Sequence, residues 1–142
     1  MSDRLRAAAV ACCVVGLGIS GYLTYVHYAG VAPICEIAHG CEQVQTSEWS
    51  KLAGVPVALL GLLGYAAILA SLFVRGEAAL LAGAGVAVVG WAFSAYLTYR
   101  EVFTIQAICI WCVVSAVLMT VLAAITVARL MRAPVEGAVR AR

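Results

Sequence analysis

At 142 residues the chain is 65% hydrophobic and 11% charged, with a mean hydropathy of +1.03, far more apolar than a soluble domain. That composition leaves room for a single membrane domain, residues 1–142, and excludes a sizeable soluble one. A net charge of +2, scattered along the chain, excludes nucleic acid as a partner.

Residues 1–6 are a short polar lead with Arg4 and Arg6, and residues 7–28 are the first apolar run. It is long for the apolar part of a signal peptide and no small-x-small site follows, so it reads as a membrane helix. Residues 29–54 are the long polar segment, holding Cys35, His39, Cys41 and the glutamates Glu36, Glu42 and Glu48. A second helix is expected over 55–74, opening with Pro56, where a missing N–H costs little. After the short turn Arg75-Gly76-Glu77 a third helix is expected over 78–99, then an apolar linker over 100–108. The fourth helix, 109–128, precedes a tail, 129–142, that carries arginines. The expected fold is an all-α integral membrane protein, a four-transmembrane-helix bundle with a long extracytoplasmic loop between helices 1 and 2.

Positive charge orients the bundle. With both termini cytoplasmic, the inside receives Arg4, Arg6, Arg75, Arg129, Arg132, Arg140 and Arg142, and the outside keeps only Lys51 and Arg100. The chain therefore reads as a multi-pass protein of the inner (plasma) membrane. Cys35, Cys41, Cys109 and Cys112 then fall on the outer side, where disulfides persist. Cys12 and Cys13 lie within the first helix on adjacent, divergent faces and read as packing residues.

Cys109-Ile110-Trp111-Cys112 stands at the start of the fourth helix. Cysteines at i and i+3 share a helix face and can close a disulfide. Free N–H groups and the helix dipole there favour the thiolate, the species that attacks disulfides. The outer cysteines are either two structural staples or a relay. No tetrahedral ligand spacing accompanies them, so no metal is expected; His39 reads as a solvated or thiol-polarising residue and His27 as an interfacial one.

The chain resembles the bacterial members of the vitamin K epoxide reductase family over nearly all its length. Cys35 and Cys41, six apart, match the family's shuttle cysteines. Ser47 matches its loop serine, with Trp49 two further on, and Gly54-Val55-Pro56 resembles the start of its second helix. Cys109-Ile110-Trp111-Cys112-Val113-Val114-Ser115 looks like its active-site motif. Ser20-Gly21-Tyr22-Leu23-Thr24-Tyr25 recurs as Ser94-Ala95-Tyr96-Leu97-Thr98-Tyr99, and similar tyrosine-rich ends occur in the family's first and third helices. The sequence departs from the vertebrate enzyme's quinone-binding asparagine and tyrosine: it contains no asparagine, and Ala116 aligns with the tyrosine.

The resemblance implies a quinone-dependent thiol-disulfide oxidoreductase that supports disulfide bond formation, with Cys35, Cys41, Cys109 and Cys112 as its catalytic residues. The acceptor would be a membrane quinone of menaquinone, ubiquinone or vitamin K type. Bacterial members often carry a fused thioredoxin-like domain; with none by residue 142, the electron donor is expected to be a separate periplasmic thioredoxin-like dithiol protein. Ten of the twelve aromatic residues fall in the outer loop or outer half, which favours a ring site there. Ser47, Trp49, Phe93, Tyr96 and Trp111 are the candidate quinone-binding residues. In the expected order Cys35 meets the soluble partner, Cys41 attacks Cys109, the more accessible helix cysteine, and Cys112 leaves toward the quinone. A small four-helix transporter or scaffold with structural outer disulfides is the alternative. It is disfavoured because no Asp, Glu, Lys or Arg falls inside the four expected spans.

Overall fold

The computed structural model describes residues 3–35 and 40–140, with side chains as far as residue 133. Four long helices dominate: α1 (Asp3–Ala29), α3 (Val57–Phe73), α4 (Glu77–Arg100) and α5 (Ile110–Arg140), with a short α2 (Cys41–Thr46) in the outer segment. α1 packs on α3 and α5, and α4 packs on the same two helices, so the four close into a ring. Tyr65, Ile68 and Leu72 of α3 meet Ala9 and Cys13 of α1, Ala87 of α4, and Met119 and Leu122 of α5 in one buried cluster. Cys13 is fully buried there, as a packing residue.

Three segments are long and apolar enough to cross a membrane: Asp3–Ala29, Glu77–Ile105 and Ile110–Ala133. α3 is equally apolar but shorter, at 17 residues. Val15, Leu63, Leu81 and Val117 stand exposed on the four helices, which suits a bundle whose solvent is hydrocarbon. At one end of the bundle Arg6 of α1 lies over the Phe73 ring at 5.1 Å, and Arg129 of α5 donates to the Ser71 carbonyl at 3.2 Å. Arg129 thereby satisfies one of the carbonyls that α3 leaves unpaired in its last turn.

Helix ends differ from the sequence expectation for local reasons. α3 begins at Val57 because Val55–Pro56 form a strand, β2, paired antiparallel with β1 (Lys51–Leu52). Ala53 and Gly54, both at positive φ, make the tight turn between them. α5 continues past residue 128, because Leu130, Met131 and Arg132 are strong helix formers. The outer segment, expected as loop, contains α2 and a 3₁₀ turn, Glu48–Ser50. The expected linker 100–108 prolongs α4 as a π-helical turn, Glu101–Ile105, closed by Gln106 in the left-handed region (φ 55°).

Candidate functional site

α2 rides on the end of the bundle where α5 begins and itself starts at Cys41, which is disulfide-bonded to Cys35. Gly40 makes this seating possible. A Cβ there would stand 2.6 Å from the backbone nitrogen and 2.7 Å from the carbonyl oxygen of Ile108, so only glycine lets the chain pass. The close approach brings Cys41 and Val44 into a second buried cluster with Ala107 and Cys109, flanked by Cys35, Trp111 and Cys112. Cys41 and Cys109 are both wholly shielded from solvent, whereas Cys35 is half-buried. The sequence expects Cys109 to be open to a loop thiol; instead it is sealed from water by the loop residues packed on it.

Cys109 and Cys112 are free thiols on adjoining turns. Gln45, four residues after Cys41 and so on the same face of α2, donates its amide to the Cys112 sulfur at 3.5 Å and to the Cys109 sulfur at 3.9 Å. The hydrogen bond from the Cys112 thiol, helped by the Cys112 backbone N–H and by Gln45, lowers the Cys109 pKa to about 7 against the opposing effects of burial and Glu101. Glu101 is 3% exposed; its Oε2 accepts from the Cys109 backbone N–H at 3.3 Å, and its carboxyl interacts electrostatically with the Cys112 thiol. Sequence reasoning missed Glu101 and Gln45. By sequence Glu101 falls in a linker just beyond the third span, and the π turn is what carries it inward.

Beneath the cysteines the bundle holds a partly open cavity of about 560 Å³ with mainly apolar walls. Trp49 and Phe93 stand in its wall, and so do Gln45, Glu101 and Cys112; Cys109 does not. Deeper in, Tyr65 Oη donates to the Ser115 carbonyl at 2.9 Å and shares a 2.8 Å hydroxyl contact with Ser115 Oγ. The other aromatic candidates sit elsewhere. Tyr96 stacks on Phe93 and meets Trp49 edge-on, behind the wall, and Arg100 lies 4.1 Å over the Trp49 ring. Trp111 faces Tyr22 across 5.4 Å and borders a separate groove between α1 and α5. Ser47 does not line the cavity, and it caps no following segment: its hydroxyl donates to the Val44 carbonyl at 2.7 Å, closing α2. His39 and Glu36 lie outside the described residues.

The outer strand of the loop is pinned as well. Tyr22 Oη accepts the Ile34 N–H at 2.9 Å, which holds the residue before Cys35 against α1. A disulfide on a clamped loop, a dithiol beneath it and an apolar cavity beneath that are arranged in the order that stepwise thiol–disulfide exchange requires. The model of the vitamin K epoxide reductase family matches residues 7–127, a stretch that takes in all four of these cysteines and the cavity. The chain belongs to the vitamin K epoxide reductase family and is, with it, a membrane thiol oxidoreductase.

Proposed function

We propose that the protein passes electron pairs from a soluble dithiol protein, through Cys35/Cys41 and then Cys109/Cys112, to a membrane quinone, and so drives disulfide formation outside the cytoplasm. The donor is a separate thioredoxin-like periplasmic protein. All four long helices span the inner membrane, with both termini cytoplasmic and the cysteines outside.

One observation carries this reading: Cys41 and Cys109 share a dry cluster, while Cys112 alone of the pair opens into the cavity. The donor's thiolate attacks half-buried Cys35, and Cys41 leaves as a thiolate already packed on Cys109. Cys41 then attacks the oxidised helix pair at Cys109, and Cys112 is released toward the cavity. The donor's second thiol attacks the donor–Cys35 mixed disulfide, which oxidises the donor and releases Cys35 as a thiolate, and Cys35 then resolves the Cys41–Cys109 bridge. Cys109 departs readily in that step, because a thiol with a pKa near 7 is a good leaving group. The loop disulfide closes again and the two electrons rest on the helix dithiol.

The cavity suits a planar ring in volume and in its mainly apolar walls, with Trp49 and Phe93 to flank it. A quinone bound there supplies a two-electron acceptor.

Purified protein given dithiothreitol and a soluble quinone under anaerobic conditions should bleach the quinone absorbance catalytically. In Cys112→Ser the quinone reaction should stop, and Cys109 should attack the loop disulfide to leave a Cys41–Cys109 bridge with Cys35 free. Non-reducing peptide mapping reads that bridge. A Cys35–Cys109 bridge would reverse the roles of the loop cysteines, and quinone bleaching by the variant would remove Cys112 from the path.

A further inference from the structure

Glu101 is the one acidic side chain among the described residues that is buried, and no cation pairs with it. The neighbouring Arg100 is engaged elsewhere: it lies over Trp49, and its Nε donates to Tyr96 Oη at 3.1 Å. An ionisable group placed at the edge of a membrane span and shut away from water is costly to keep, and such groups mark sites of proton or ion chemistry. What surrounds Glu101 is the dithiol. The Cys109 backbone N–H holds Oε2 at 3.3 Å, the carboxyl and the Cys112 thiol interact electrostatically, and both border the same cavity.

The backbone is built to put it there. Gln106 and Ala107 both donate their N–H groups to the Glu101 carbonyl, the latter at 3.1 Å, so the wide turn folds the chain back. A residue eight positions before Cys109 is thereby brought against the cysteine pair, at the kind of helical irregularity that recurs at functional sites.

We propose that Glu101 is the general base of the helix dithiol, taking the proton of the Cys112 thiol as the Cys109–Cys112 bond forms. The inference rests on the redox reading above. The S–S bond forms as both S–H bonds break, and two electrons and two protons leave the pair. The Cys112 proton moves to the Glu101 carboxylate; Cys112 can then draw the Cys109 proton across the hydrogen bond between the two sulfurs, and that proton follows once Glu101 has discharged. The quinone receives both electrons and both protons and becomes quinol, so nothing is left over and no other reactant is needed.

Glu101→Gln tests this, because an amide oxygen still accepts from the Cys109 N–H but cannot take a proton. In a single turnover of the pre-reduced protein with a soluble quinone, the variant should be slower by about 100-fold, the low end of what a general base supplies. A second readout needs no quinone: the infrared S–H stretch of Cys112, which donation to the carboxylate would lower, should shift upward in the variant. Glu101→Asp, which keeps an acid, serves if the amide variant does not fold, and should fall between the two. Wild-type turnover, or an unmoved S–H band, in the substituted protein overturns the proposal with the relay intact. A wild-type protein that cannot reduce quinone at all overturns the relay reading and the proposal together.

Discussion

The indole N–H of Trp111 donates to the carbonyl of Ile34 at 2.7 Å, joining the residue between the two helix cysteines to the residue before Cys35. With the Tyr22 hydroxyl on the Ile34 N–H, both polar groups of that peptide stretch are held. Trp111→Phe keeps the ring against Tyr22 and deletes one hydrogen bond, a loss of about 1 kcal/mol. The loop disulfide should become easier to reduce, and electron transfer to the helix pair should slow several-fold. Stopped-flow mixing of the oxidised variant with dithiothreitol measures both.

Gly40→Ala should act more severely. The added Cβ meets the Ile108 backbone, which cannot swing aside as a side chain would. α2 must lift, at a cost of about 1–3 kcal/mol for overpacking. Cys41 then loses its contact with Cys109. Quinone reduction should collapse while dithiothreitol still opens the Cys35–Cys41 bond, a split visible by comparing turnover with thiol counts.

The Cys109 thiol titrates near 7 in the folded reduced protein against an ordinary value of 9.0. Folding therefore favours its thiolate. The stabilisation is fully present above pH 9, is lost as the pH falls toward 7, and is absent below it. Thiolate ultraviolet absorbance of the reduced protein should rise through pH 7, and Cys109→Ser should remove that step. The thermal midpoint of the reduced protein relative to Cys109→Ser should climb between pH 7 and 9.

Ser47→Ala removes the bond from the Ser47 hydroxyl to the Val44 carbonyl and should loosen the end of α2 by about 1 kcal/mol. Turnover should fall by less than in Gly40→Ala, since Cys41 stays seated. Hydrogen exchange of the α2 amides is the direct check.

A cysteine introduced in the Arg75–Glu77 turn should resist a membrane-impermeant maleimide applied from outside intact cells and react once the cells are opened. Labelling from outside would invert the proposed topology.

The cysteines were legible in the sequence because their chemistry resides in residue type and spacing, and both pairs are plain in the string. The membrane helices were legible because apolar runs of that length have few other fates. Glu101 was not, because its burial depends on a π turn that leaves no mark in a 3.6-residue pattern. Gln45 was hidden in the same way, on a segment read as loop before α2 gave it a face. Trp111 and Tyr96 show the limit of counting aromatics: depth in the membrane can be read from position, but not which side of a helix the ring occupies.

At about 1.5 Å per residue, the 17 residues of α3 reach about 25 Å, several ångströms short of a typical hydrocarbon core. On the proposed topology, in which α3 spans the membrane, lipid beside it would thin, or the helix would ride away from one surface, at fractions of a kcal/mol per Å. α3 also forms part of the wall beneath Trp49. On the proposed reading, a dimple in the bilayer would lie beside the chamber, where a long-tailed quinone sliding within the leaflet could reach it sideways. Acyl-chain length would then act on the protein as a rheostat, with thin membranes easing access and thick ones straining it.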